Sequence, residues 1–214
     1  MNWLLEQDMN YSLNWQFALD YLATRDRVMA NLIASYPHEV MLNHQNPFQT
    51  LVNAIVGQQI SIKAAFAISQ RLESTLGSWS TEKFLAIEEN ELRQCGLSRP
   101  KIRYITNVAS ALESGQLTPS LWSEMSDEEV AEQLKSIPGI GTWTAQMFLI
   151  FHLQRADILP IGDVGLRKAI ETNYGKGKSL TKEEIENIAQ RWQPYRTVAT
   201  WYLWRSLDPV SVQY

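Results

Sequence analysis

The sequence predicts an all-α fold. Apolar residues recur at three- and four-residue steps along most of the chain, Gly and Pro punctuate those runs at helix-like lengths, and no stretch alternates apolar and polar residues as a half-buried strand does. With 214 residues, 45% hydrophobic and 20% charged, a chain of this length buries roughly 70–75% of its unfolded surface without staples. About nine or ten helices are expected.

The elements follow in order. From Trp15 to Leu32, a stripe of Phe17, Leu19, Leu22, Val28 and Leu32 predicts one amphipathic helix, closed by Pro37. Asn46-Pro47 precedes a second run in which Phe48, Leu51, Val52, Ile55 and Val56 share a face and Gly57 interrupts near the end. Ser61 caps the next helix, whose stripe of Ile62, Ala65, Phe66, Ile68 and Leu72 stops at Gly77. Ser80 and Thr81 open a helix through Phe84, Leu85, Ile87 and Leu92 to the turn at Gly96. After Arg99-Pro100, the pattern Ile102, Ile105, Val108, Ala109, Leu112 is helical up to Gly115. Ser126 with Glu129 forms a capping box for a helix through Val130, Leu134 and Ile137. Pro138-Gly139-Ile140-Gly141 is a sharp turn, and Thr142 starts a helix through Ala145, Phe148, Leu149 and Leu153. Helices at 164–173, 181–191 and 195–207 complete the set. No repeat or flexible linker divides the chain, and the stretch 154–162 is the best crossing between two helical lobes, lobe A about 46–153 and lobe B about 1–45 plus 154–214.

The formal charge of −4 argues against a polyanionic partner, but the charge is uneven: residues 1–98 carry 6 basic and 10 acidic side chains, residues 99–214 carry 13 of each. The one cysteine, Cys95, excludes an intramolecular disulfide and the ligand set of an iron–sulfur cluster or Cys-rich zinc site, and suits a reducing compartment. No apolar run reaches the 18 or so residues of a membrane helix, and Glu6 and Asp8 stand where a signal peptide is basic, so neither membrane nor export is expected. His38, His44 and His152 are too scattered for a metal site and read as structural; Cys95, Trp3, Trp15, Trp79 and Trp122 are expected in the core.

Two segments carry chemistry. In Pro138-Gly139-Ile140-Gly141-Thr142, paired glycines permit close backbone approach and the following helix offers unpaired N–H groups, a device that grips phosphate without long cationic side chains. Taken alone, it is also an ordinary helix–helix corner. Twenty-two residues beyond Gly141, Asp163 stands at the start of a helix as an N-cap for the amides of Gly165 or Leu166, which fixes the carboxylate and, through the helix dipole, keeps it ionised.

Together, I137-P-G-I-G-T-W-T-A, L159-P-I-G-D-V-G-L and P47-F-Q-T-L-V-N-A-I-V-G-Q-Q-I-S resemble the helix-hairpin-helix DNA glycosylase superfamily, and within it the 3-methyladenine DNA glycosylase II branch; C95-G-L-S-R-P-K-I-R-Y-I also resembles the family's turn before its next helix. The resemblance runs from about Trp15 to Leu207 and implies two lobes with a cleft between them. It makes Asp163 the catalytic aspartate and Trp143, Trp204 and Tyr202 the aromatic substrate pocket. Pro138, Gly139, Ile140, Gly141, Thr142 and Thr144 become the DNA-binding hairpin, with Gln58, Gln59 and Ser61 at the minor groove and Gln59 as the wedge, where the best-known bacterial relatives have an apolar residue. Backbone carbonyls of Lys135, Ile137 and Ile140 are the positions that hold a monovalent cation, Na⁺ or K⁺; no other cofactor is implied.

Trp143 stands where the bifunctional branches have a nucleophilic lysine, so the resemblance implies hydrolysis of the N-glycosidic bond without strand cleavage. The expected substrates are alkylated purines such as 3-methyladenine and 7-methylguanine in double-stranded DNA, everted before cleavage and stacked on electron-rich rings. The expected agent is a monomer, cytoplasmic in a bacterium or nuclear in a eukaryote. Two alternatives stay open at this point: a non-catalytic helix-hairpin-helix DNA-binding module, which needs the glycine turn but not Asp163, and a glycosylase for another lesion such as a deaminated base.

Overall fold

In a computed structural model, residues 14–41 and 46–208 are described, and the regular elements among them are all helical. Trp3, Glu6, Asp8 and His44 lie outside the described residues. The α-helices are α1 (Trp15–Arg25), α2 (Arg27–Ser35), α3 (Pro47–Gly57), α4 (Ile62–Leu76), α5 (Thr81–Ala86), α6 (Glu89–Gln94), α7 (Arg99–Glu113), α8 (Asp127–Lys135), α9 (Thr142–Phe151), α10 (Val164–Asn173), α11 (Lys182–Ala189) and α12 (Arg196–Arg205).

Among the described residues twelve α-helices stand where nine or ten helices were expected, because two predicted helices are each broken. The first breaks at Asp26, which is extended at φ −141°, ψ 112°. Its carboxylate, 5% exposed, accepts the amides of Val28 (2.8 Å) and Met29 (3.2 Å), the phenol of Tyr174 (3.0 Å) and the indole N–H of Trp192 (3.3 Å). A buried carboxylate must find such donors, and Asp26 caps α2 only by leaving the helical path. Two of its partners are remote in sequence, so periodicity gives no sign of the break. The second break falls at Ile87 and Glu88, whose ψ values of 136° and 142° separate α5 from α6. The expected helix over 181–191 ends as an α-helix at Ala189 and tightens into a 3-10 turn over Gln190–Trp192.

The chain divides into two compact units, each described by itself. One consists of residues 14–41 and 154–208, with α1, α2 and α10–α12. In it α12 is buried from Thr197 to Trp204, apolar around most of its circumference as an enclosed helix must be, and Trp201 meets Trp15 edge-on at 5.4 Å. The other consists of residues 46–153, with α3–α9. Here α3 and α9 are the most enclosed helices, and Leu51, Ile55, Phe84, Trp122, Phe148 and Phe151 are fully buried. Burial of each such side chain contributes about 1.5–3 kcal/mol.

Trp122 and Cys95 are interior, as read from the sequence, whereas Trp15 and Trp79 are half-buried. His152 stacks on Phe148 at 4.6 Å, and His38 is exposed.

Candidate active site

Asp163 ends an irregular stretch, residues 154–163, that α12 holds in place. The Thr197 amide donates to the Ala156 carbonyl (3.0 Å), and the Thr197 hydroxyl accepts from the Ile158 amide (3.0 Å) while donating to the Arg155 carbonyl. Arg196 grips Asp157 through Nε (2.7 Å) and Nη2 (2.9 Å). The chain then turns through Pro160, whose carbonyl accepts the Asp163 amide at 2.8 Å.

The Asp163 side chain caps α10 through the amide of Leu166 at 2.6 Å. The indole N–H of Trp204, from α12, reaches the same oxygen, Oδ1, at 2.8 Å. Asp163 is half-buried and Trp204 is 6% exposed. One helix thus secures both the approach to the carboxylate, through Thr197, and the carboxylate itself, two turns later. The sequence places Trp204 near the chemistry, but a hydrogen bond across 41 residues has no local signature. Gly165 makes room for it: a Cβ there would stand 3.2 Å from Oδ1 and 3.5 Å from the indole.

Tyr202, expected beside Trp204 in the pocket, is instead an interior residue at 1% exposure, set between Trp15 (6.1 Å) and Trp201 (4.9 Å). Burial pushes its phenol up from the usual range. Val164, one position after Asp163, is 81% exposed, the largest value among the exposed large apolar side chains.

In the other unit, α8, the turn over 136–141 and α9 form the helix-hairpin-helix. The turn closes with the Ile137 amide on the Leu134 carbonyl and the Ile140 amide on the Ile137 carbonyl, both at 3.0 Å. Ile140 is 6% exposed, so it anchors the turn by its side chain and leaves only backbone to a ligand. Gly139 has φ +106°, and a Cβ there would overlap Tyr104 of α7. Gly141 differs: it is extended, at φ −100° and ψ 180°, and a Cβ there would meet nothing within 4 Å.

Nine of the described helices start on a side chain that accepts from the first turn, whereas α9 starts on Gly141 with no side-chain cap. Its first-turn amides thus have no side-chain cap, as is also the case in α6 and α12. Pro138 and Thr142 are exposed beside it, and Trp143 is half-buried on α9.

Two residues expected at the DNA surface are engaged inside the unit. Thr144 is 1% exposed, and its hydroxyl accepts from Gln58 Nε2 at 2.9 Å; the same Nε2 donates to the Gly139 carbonyl at 3.2 Å. Gln58 and Thr144 thus brace the hairpin from inside the unit, through bonds that the sequence did not show. Gln59 is exposed and left-handed, at φ +58°. Ser61 caps α4 by accepting the Ala64 amide at 3.3 Å. Lys101, Tyr104 and Asn107, which sequence reasoning passed over, all face these turns from α7.

The carbonyls of Lys135, Ile137 and Ile140 suit a monovalent cation. The Ile137 oxygen uses one lone pair within the turn, and among the described residues no N–H donates to the other two. Neutral carbonyl oxygens are the donors such ions take. The described residues contain no cluster of His, Cys, Asp and Glu able to hold a metal ion.

A hairpin beginning on an uncapped glycine and a capped, braced aspartate define a class, and residues 52–194 match the model of the HhH-GPD superfamily of base excision DNA repair proteins. The chain belongs to that family. The DNA-3-methyladenine glycosylase 1 of Schizosaccharomyces pombe is 33% identical over 182 residues, which are 83% of this chain and 80% of that protein. The solved structure of the 3-methyladenine DNA glycosylase of that yeast, in complex with abasic DNA, superposes with a TM-score of 0.82 at 30% identity, covering 89% of this chain and 96% of its own. A DNA-3-methyladenine glycosidase from Bacillus halodurans gives 0.74 at 38% identity, covering 88% of each chain.

Proposed function

We infer that this chain is a monofunctional DNA glycosylase of base excision repair, which hydrolyses the N-glycosidic bond of alkylated purines such as 3-methyladenine and 7-methylguanine in duplex DNA. Its relatives bear the name of that activity. The observation that carries the reading is Asp163, a carboxylate whose Oδ1 is held by both Leu166 and Trp204.

The chemistry asks little else of the protein. An alkylated purine is already cationic, so the bond from C1′ to the base nitrogen breaks with the electron pair leaving on the base. The sugar becomes an oxocarbenium-like cation. A fixed carboxylate stabilises that charge without reorganising, and water adds at C1′, giving up a proton to the carboxylate or to solvent, to leave an abasic site. Trp143 offers no amine to attack the sugar, so no Schiff base forms and the backbone stays uncut. The Pro138–Thr142 turn grips a phosphate through amides, with Gly141 open to the strand and a monovalent cation on the carbonyls of Lys135, Ile137 and Ile140. Gln59 fills the gap left by the everted nucleotide, Trp204 offers the base an electron-rich ring beside Asp163, and the protein acts as a monomer.

The test is a base-release assay over duplexes carrying 3-methyladenine, 7-methylguanine, hypoxanthine, uracil or 8-oxoguanine. Release of the alkylated purines, with strand breaks only after alkali, is expected. Tight binding without release of any base refutes the enzyme, and release confined to the other lesions refutes the substrate class. Trp204→Phe keeps the ring and removes the N–H donor on Asp163. Single-turnover release slows about tenfold, the size of one hydrogen bond to a charged group, with duplex affinity unchanged.

A further inference from the structure

One face of α7 carries Lys101, Tyr104 and Asn107 at three-residue spacing, and each holds one of two separate turns. Lys101 Nζ donates to the carbonyls of Val56 (2.7 Å) and Gln58 (3.0 Å), at the end of α3 where the helix dipole favours a cation. The Gln58 carbonyl belongs to the peptide that leads into Gln59, so the ammonium fixes the plane from which the left-handed residue departs. A residue with a Cβ adopts that conformation only where its surroundings impose it. Tyr104 packs under Gly139, and Asn107 Nδ2 donates to the Pro138 carbonyl at 3.1 Å. Gln58 Nε2 closes the circuit, bridging the Gln59 turn to Gly139 and Thr144 of the hairpin.

We propose that Lys101, Tyr104, Asn107 and Gln58 are positioning residues that set the offset between the hairpin and the Gln59 turn, so that the nucleotide is everted at a fixed distance from the gripped phosphate. This rests on the glycosylase reading. It separates two steps: gripping needs the hairpin amides alone, whereas eversion needs both turns in register.

The experiment compares the full chain with Lys101→Met, which keeps the stem and removes the donors, and Gln58→Glu, which keeps the shape and replaces the donor facing Gly139. Three quantities are read on each: affinity for an undamaged duplex by anisotropy, eversion from the fluorescence of 2-aminopurine beside a tetrahydrofuran site, and single-turnover release of 7-methylguanine. Both variants are expected to keep duplex affinity within about threefold and to lose about tenfold in eversion and release, roughly one charge-assisted hydrogen bond. In a Gln59→Ala background the further loss shrinks below about twofold, because the clamp acts through that side chain. Eversion unchanged in both variants, a loss of equal size with and without Gln59, or affinity falling as far as eversion overturns the proposal. Should Lys101→Met fail to fold, Gln58→Glu gives the same reading. A parent chain that neither opens the duplex nor releases base overturns the glycosylase reading along with it; an active parent with indifferent variants overturns this proposal alone.

Discussion

Asp163→Asn stops base release and leaves the fold in place. Both described bonds to the side chain fall on Oδ1, from Leu166 and Trp204, and the amide oxygen of asparagine accepts them equally well. Asparagine is also as good an N-cap as aspartate. The substitution therefore removes a negative charge while keeping both of these bonds. Loss of a preorganised group facing the charge that develops in the transition state costs at least about 10²–10³-fold in rate. Affinity for a duplex with an abasic-site analogue, and the urea midpoint, remain at parental values. A variant that retains full single-turnover release removes Asp163 from the mechanism.

Gly139→Ala and Gly141→Ala, two residues apart in one turn, part company. At Gly139 the methyl group meets both a positive φ and the side chain of Tyr104, so the turn must move. About 2–4 kcal/mol of stability is lost, visible in the denaturant midpoint, and duplex binding goes with it. At Gly141 the backbone is extended and the space around a Cβ is open. Stability there is unchanged or rises by up to about 1 kcal/mol, because alanine restricts the unfolded chain. Duplex affinity nonetheless falls about tenfold, equally for damaged and undamaged DNA, since the methyl group stands where a phosphate approaches. If Gly141→Ala binds as well as the parent, the strand does not lie on that turn.

What the sequence revealed and what it withheld divide along physical lines. Helix α10, the capping boxes at Ser126 and Thr181 and the glycine turn were legible because each rests on residues within four positions of one another. Asp163 was legible as a cap for the same reason. The break at Asp26 was not, since the donors that make it worthwhile lie 148 and 166 residues away. Nor was the burial of Tyr202, whose enclosure depends on Trp15 at the other end of its unit's chain path. Gln58 and Thr144 were read as surface residues because polar side chains beside a binding turn look alike whether they face out or in. The role of Lys101 was not legible, because its two carbonyl partners lie at the end of a helix more than forty residues earlier.

The unit that carries Asp163 is assembled from two separated pieces of chain, 14–41 and 154–208, with the hairpin unit lying between them in sequence. During vectorial synthesis the ribosome delivers α1 and α2 before the hairpin unit, yet Asp26, Trp15 and Glu39 find their partners Tyr174, Trp192, Trp201 and Arg205 only when α10–α12 emerge. Residues 46–153 are complete well before that, and domains fold as units once complete. The hairpin unit is therefore complete before the carboxylate is secured, and residues 14–41 wait for these partners until residues 174–205 have been made.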